Sequence, residues 1–257
     1  MSKTPLCFCL VREMEHLPNP SQTKPQIMSV NVKKWLPKWL KRPVKKMLLR
    51  RQLRRAVKTI GNLPDGQIPN RHQLSQLITG WSNEGYAANL EYLEAVAKSS
   101  IATQGPILEC GSGATTLLLG ILSARRKIEV WSLEHSPEWQ ERLTKELKRN
   151  GISGVHVCAS PLVEYGEFDW YSPPMSQMPR HFSLVICDGP PGTTKGGRYG
   201  LLPVMGSRLP PGSTILLDDA GRPGEVELIK KWEDEAGFET DLINSQGREY
   251  AVMRRRS

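Results

Sequence analysis

The chain has 257 residues, 39% of them hydrophobic, enough for one large domain with an appended arm. No run of about 18 apolar residues occurs, which excludes a membrane-spanning helix, and the short apolar stretch Leu6–Val11 runs directly into Arg12, Glu13 and Glu15, unlike a secretory signal. The net charge of +9 is uneven: residues 1–60 hold fifteen Lys and Arg against Glu13 and Glu15, a balance of +13 that leaves −4 for the rest.

Residues 1–30, rich in Pro, Ser, Gln and Asn, lack periodicity and are expected to be a disordered tail. Residues 31–80 are expected to form a basic, amphipathic helical arm, with a helix from about 44 to 60. Two apolar stripes run along it among lysines and arginines: Val44, Met47 and Leu48, and Leu49, Leu53, Val57 and Ile60. Upstream, Trp35, Leu36, Trp39 and Leu40 sit at helical spacing, with Pro37 and Pro43 as breaks. Such an arm suits an anionic membrane surface, nucleic acid or an acidic partner, and the tryptophans favour the membrane; the rival expectation is intramolecular, with the apolar stripe packed on the acidic domain as a lid or dimer contact. Cys7, Cys9, Cys110, Cys158 and Cys187 are odd in number, and the last three lie in apolar runs. Reduced thiols and a cytoplasmic location, with peripheral membrane attachment, are the expectation.

Helices are predicted over 71–79 and 84–99. From residue 106 strands and helices alternate through "PILEC", "TTLLLGILSA", "IEVWSLE", "SPEWQERLTKELKRN", "VHVCAS", "FSLVICDG", "STILLDDA" and "EVELIKKWEDEAG". A hairpin of "FETDLIN" and "EYAVMRR" ends the chain. This order predicts an α/β fold: a Rossmann-like, doubly wound, mainly parallel seven-stranded sheet with an antiparallel C-terminal hairpin, its domain spanning 81–257.

The most specific local signal is "LECGSGATT", Leu108–Thr116, a strand leading through a glycine loop into a helix. Gly111 and Gly113 permit a sharp turn and close approach of a ligand to the backbone, and the helix start offers free N–H groups. Thr116 stands where a dinucleotide fingerprint has its third glycine, which disfavours a nicotinamide enzyme. Glu134 ends the second strand about 25 residues past Glu109, where an acid accepts hydrogen bonds from ribose hydroxyls.

The acid-x-Gly-x-Gly pattern of Glu109–Gly113 resembles motif I of the class I S-adenosylmethionine (SAM)-dependent methyltransferases, with Thr115 in place of the usual third small residue. "EHSPEWQERL", "DGPPG" and "LLDDA" are similar to bacterial small-molecule enzymes related to the catechol-type O-methyltransferases. The resemblance spans about residues 81–255. It implies that Glu109, Cys110, Gly111, Ser112, Gly113 and Thr115 wrap the methionine half of SAM, with Glu109 holding the amino group. It further implies that Glu134 and His135 meet the ribose, that Ala159, Ser160 and Leu162 meet the adenine, and that Trp81, Asn83 and Glu84 cover the cofactor. Asp188, Asp218 and Asp219 match the places where that group holds a divalent cation such as Mg²⁺, although Asp219 replaces the customary Asn. These three carboxylates are the catalytic and metal candidates, and Asp188 is also a cofactor candidate. The loop Gly189–Gly200 follows a strand tip, where substrate loops lie, and Lys195, Arg198 and Tyr199 are its candidates for an anionic or ring-bearing acceptor. The expected activity is methyl transfer to a hydroxyl of a small molecule or glycan. The alternatives are an RNA methyltransferase that uses the basic arm, and a peripheral membrane scaffold with a vestigial cofactor site. An Asp/Asn-Pro-Pro-aromatic motif for amino methylation is missing from the sequence, which weighs against RNA.

Overall fold

The computed structural model describes residues 38–82, 89–245 and 248–256. The expected disordered tail with Cys7 and Cys9, the start of the arm with Trp35, the cover residues Asn83 and Glu84, and the hairpin turn at 246–247 lie outside them. The chain divides into two compact units between Pro43 and Val44. Of the first, the described residues are the opening turns of a helix, on which Trp39 is exposed. All that follows concerns the unit from Val44 onward.

Among the described residues are seven α-helices and nine strands. The helices are α1 (Lys38–Gly61), α2 (Arg71–Trp81), α3 (Leu90–Ala102), α4 (Ala114–Ala124), α5 (Pro137–Arg149), α6 (Leu201–Met205) and α7 (Pro223–Ala236). The strands are β1 (Ile107–Cys110), β2 (Val130–Glu134), β3 (Val155–Ala159), β4 (Leu162–Glu164), β5 (Asp169–Tyr171), β6 (Leu184–Cys187), β7 (Thr214–Leu217), β8 (Phe238–Ser245) and β9 (Arg248–Arg255). Seven of the strands form one sheet in the order β3-β2-β1-β6-β7-β9-β8; the first five are parallel, and β9 runs against β7 and β8. The predicted Rossmann-like fold with its antiparallel closing hairpin is therefore the observed one. Nothing in the sequence reading anticipated the two-stranded antiparallel hairpin β4–β5, inserted between β3 and β6.

The short strands β1 and β6, wholly buried, and β7, buried from Ile215 onward, alternate between two cores, as the period of two requires. Ile107, Leu184, Ile186 and Leu216 face the core of α1 to α5; Leu108, Cys110, Val185, Cys187, Ile215 and Leu217 face that of α6, α7 and β5. Glu109 shares the parity of Ile107, so its carboxylate is forced into the first core.

Local sequence sets the helix ends. Asn70 and Gln73 form a reciprocal capping box at α2, and Ser136 caps α5 with Pro137 behind it. At the far end of α1, Arg125 donates to the carbonyls of Gly61 and Leu63, both at 2.5 Å, supplying positive charge to a helix C-terminus.

From Leu53 onward the stretch expected to be an arm packs into the core of the α/β domain. Leu53, Ala56 and Ile60 of α1 are buried in one cluster with Leu74 and Leu77 of α2 and Leu117–Leu119 of α4. At the crossing of α1 and α2 a Cβ on Gly80 would lie 2.6 Å from the backbone nitrogen of Leu53, so only glycine admits this contact. The stripe Leu53–Val57–Ile60 demands an apolar partner, and α2 and α4 provide it. Among the described residues no helix is long and apolar enough to cross a membrane.

Candidate functional site

The glycine loop joins β1 to α4 at the carboxyl edge of the sheet, where ligands sit in doubly wound folds. Gly111 adopts φ +88, and a Cβ there would stand 2.9 Å from the Gly189 nitrogen. Its N–H donates to the carbonyl of Leu133 at 3.0 Å, while the Cys110 carbonyl accepts from Asp188 and Gly189 at 3.1 and 2.7 Å. The tips of β1, β2 and β6 are thus tied together through backbone alone. Gly111 is glycine because of this packing. Gly113 differs: its backbone is extended, and the nearest atom to an added Cβ is Trp81 Nε1 at 4.0 Å.

Glu109, expected to hold an amino group, has its carboxylate engaged inside the protein. Thr115 Oγ1 donates to one carboxylate oxygen at 2.5 Å; Thr116 Oγ1 and Ser132 Oγ donate to the other, both at 2.6 Å. The carboxylate is fully buried, and burial raises its pKa to about 7 against the opposing pull of the three hydroxyls. Together they bind the start of α4 to β1 and β2. Glu109→Ala is expected to cost the ligand-free protein about 2–4 kcal/mol, because three buried hydroxyls lose their acceptor. Thermal denaturation measures this; a purely ligand-binding Glu109 would leave the transition unmoved.

Glu134, buried at the tip of β2, sits beside the loop as expected. One of its oxygens accepts from the Ser112 N–H and hydroxyl at 3.2 and 2.5 Å, the other from the Ser136 N–H at 2.8 Å. His135 Nδ1 lies 3.3 Å from Glu134. Ser160 donates its N–H to the Glu134 carbonyl at 2.8 Å, which brings the tip of β3 to the same edge. Ala159 is exposed at the end of β3, and Leu162 is half-buried in β4.

Trp81, expected from the sequence to cover the cofactor, stands at the other side of the loop with Trp139 and Arg142 of α5, which carried no expectation. Trp139 donates its indole N–H to the Ser112 carbonyl at 2.7 Å and meets Trp81 edge to face at 5.5 Å. The guanidinium of Arg142 lies 4.2 Å from the Trp81 ring centre and 4.7 Å from that of Trp139, and it donates to the Trp81 carbonyl. Their spacing on α5, immediately after the acid at the tip of β2, was the available signal.

Four polar atoms around this edge are buried without a hydrogen-bond partner among the described residues: Trp81 Nε1, His135 Nδ1, Ser160 Oγ and Tyr171 Oη. Buried groups of this kind are normally satisfied. Trp81 Nε1 lies beside Gly113, His135 and Ser160 lie beside Glu134, and Tyr171 Oη lies beside Gly189, a set that fits a polar, ring-bearing ligand such as the adenosyl group of SAM.

Asp188, Asp218 and Asp219 follow β6 and β7. Each offers an oxygen, and these atoms lie within 4.8 Å of one another. The predicted convergence is real, but the centre of it is a cation of the protein's own. Arg198 is only 2% exposed. Its guanidinium lies 3.4 Å from the carboxylates of both Asp188 and Asp219 and 3.9 Å from that of Glu225; it donates to the Asp188 carbonyl at 2.7 Å and to the Asp218 carbonyl. The expectation that Arg198 recognises substrate is corrected accordingly: it braces the carboxylates from beneath. Arg222 pairs with Asp219 at 2.8 Å. Burial, then Asp188 and Asp219, push Asp218 up to about 7, and burial likewise raises Asp188. Asp219 holds a left-handed φ of 54, an unusual conformation for a residue with a side chain and one that collects at functional sites.

The other two substrate candidates diverge. Lys195 donates to the Gly166 carbonyl at 2.6 Å and faces Glu164 at 3.5 Å, fastening the loop to the β4–β5 hairpin. Tyr199 packs on Phe168, under Lys231 of α7. Lys195, Arg198 and Tyr199 therefore do not form one cluster.

No family model matches the sequence, and no curated protein matches it. Solved structures do resemble it. The O-methyltransferase from Bacillus cereus in complex with SAH has a TM-score of 0.52 at 13% identity, over 74% of this chain and 93% of that one. Precorrin-6y C5,15-methyltransferase from Geobacter metallireducens has a TM-score of 0.50 at 14% identity, over 68% and 93%. The C-terminal domain of precorrin-6Y C5,15-methyltransferase from Rhodobacter capsulatus has a TM-score of 0.50 at 13% identity, over 75% and 98%. At these identities the likeness is one of fold: the chain has the Rossmann-like fold that these methyltransferases share.

Proposed function

We propose that this chain is a SAM-dependent methyltransferase acting on a hydroxyl group of a small molecule or glycan. The observation that carries the reading is the juxtaposition of two features on one sheet edge: the loop at Ser112–Gly113 beside Glu134, with its orphaned polar atoms, and the carboxylates of Asp188, Asp218 and Asp219.

SAM supplies an electrophilic methyl carbon on a sulfonium sulfur. The residues of the chain have to hold it and to manage the acceptor's proton. Glu134 presents two acceptor oxygens. Its bond from the Ser112 hydroxyl is the one that a ribose hydroxyl replaces, while the Ser112 and Ser136 N–H groups keep the carboxylate oriented. Asp218, with its pKa near 7, is poised to take a proton from a hydroxyl as the oxygen attacks.

The charge inventory favours a divalent cation as well. Among the described residues Asp188, Asp219 and Glu225 pair with Arg198 and Arg222 alone, so with Asp218 deprotonated four carboxylates share two cations. Asp188, Asp218 and Asp219 would hold the ion, whose Lewis acidity lowers the pKa of a bound hydroxyl.

Calorimetry with SAM and S-adenosylhomocysteine tests the cofactor; binding of NAD and not of SAM would sink the reading. Scanning calorimetry across pH tests the cation. A folded-state pKa above the unfolded one means that the folded protein holds the extra proton, so the Asp218 contribution weakens stability as pH rises from about 4 to about 7. Mg²⁺ is expected to restore a few degrees of Tm at pH 8, and Asp218→Asn to raise Tm there and remove the Mg²⁺ response. No Mg²⁺ effect on the wild type leaves Asp218 as a direct base.

A further inference from the structure

The buried face of α1 is centred on Leu53, Ala56 and Ile60. At about 100° per residue, Met47, Leu48, Arg51, Arg54, Arg55 and Lys58 project from the opposite side of the same helix. All six are exposed; Met47 and Leu48 are 43% and 48% exposed, among the most exposed large apolar residues of the described chain. The sequence from Lys38 to Pro64 holds no Asp or Glu. Among the described residues no carboxylate pairs with Arg51, Arg54, Arg55 or Lys58, while Arg50 lies 4.0 Å from Glu146. The two apolar stripes of the helix thus have different fates. One is consumed by the core, while the other is presented outward, one turn from a row of guanidinium groups, on a helix that the core holds in place.

We infer that this outer face of α1, from Met47 to Lys58, docks on an anionic lipid bilayer. The arginines and the lysine match acidic headgroups, and Met47 and Leu48 give the face an apolar edge that inserts at the headgroup level. A nucleic acid answers to the charge alone and gains nothing from exposed Met47 and Leu48. Docking through α1 holds the domain at the membrane surface, so that amphiphilic acceptors meet it there.

The test is sedimentation of the full chain with vesicles of phosphatidylcholine alone and with about one third phosphatidylglycerol. The protein is expected to pellet only with the anionic vesicles. Each basic residue at such a surface changes partition about fivefold, so the double variant Arg51→Glu, Arg55→Glu is expected to lose at least twenty-fold. Arg51→Lys with Arg55→Lys retains binding. Met47→Asp with Leu48→Asp is expected to lose binding about tenfold or more, with Tm unchanged because neither side chain is in the core. Wild-type protein that stays in the supernatant with anionic vesicles overturns the inference. So does a Met47→Asp, Leu48→Asp variant that binds like wild type. If a single-stranded RNA then displaces that variant, the face belongs to nucleic acid.

Discussion

Gly113→Val is expected to weaken SAM binding at least a hundredfold, about 2.8 kcal/mol, while leaving the thermal transition of the ligand-free protein within about 2 °C of wild type. The reason is the contrast between the two loop glycines. Gly113 has an extended backbone open to any residue, and its Cβ position is 4.0 Å from the nearest atom, so a side chain there occupies space outside the fold's own packing. That space lies at the start of α4, beside Trp81 Nε1, where the proposed cofactor would enter. Gly111→Ala is expected to behave in the opposite way. Its left-handed φ and the 2.9 Å approach to the Gly189 nitrogen place the cost in the fold itself. The loss there is roughly 2–4 kcal/mol and is visible without any ligand. Calorimetric titration and thermal scans of the two variants separate the effects. A Gly113→Val protein that binds SAM as wild type does would place the cofactor elsewhere.

Arg198→Met is expected to destabilise the protein by about 3–5 kcal/mol near pH 8, the range for removing one partner of a buried ionic network. Met fills most of the volume but leaves Asp188, Asp219 and Glu225 without their shared cation, and it strands the Asp188 and Asp218 carbonyls that the guanidinium bonds. The size of the loss depends on pH. Asp188 and Asp218 already have folded-state pKa values above the ordinary carboxylate value, so the folded protein gains protons, and stability, as pH falls. Once protonated, the carboxyls no longer need the arginine. The deficit of Arg198→Met is therefore expected to shrink between pH 8 and pH 5, read as the difference in Tm between variant and wild type. A deficit that is constant with pH would mean that Arg198 acts through packing. Arg198→Lys is expected to recover only part, since an ammonium lacks the fork that reaches both carbonyls.

The carboxylates at the tips of β6 and β7 repel one another, and the buried guanidinium makes their approach tolerable. Glu109 plays the corresponding part for the glycine loop: its three hydroxyl partners clamp the start of α4 to β1 and β2. Both charged groups lie behind the surface on which the proposed chemistry takes place.

The alternation of "PILEC", "FSLVICDG" and "STILLDDA" with helical segments was enough to establish the sheet, its parallel core and the closing hairpin, because a period of two and a period of 3.6 are written locally in apolar spacing. The same local reading located the loop at Gly111–Gly113, the acid at Glu134 and the carboxylates at 188, 218 and 219, since strand tips follow directly from strand ends. Tertiary structure alone decided the direction in which each side chain points. Glu109 turns inward because it shares the parity of Ile107, and Ser132, across the pair from it, is the donor that receives it. Arg198 is buried because the irregular chain between Gly189 and Gly200 folds back beneath Asp188 and Asp219; no periodicity encodes such a path. The short β4–β5 hairpin escaped notice because three-residue strands carry too little pattern to register. The two stripes of α1 were both legible as apolar, but sequence spacing does not say which one finds a partner. The close contact of Leu53 with Gly80 settles that, and it leaves Met47 and Leu48 on the outside.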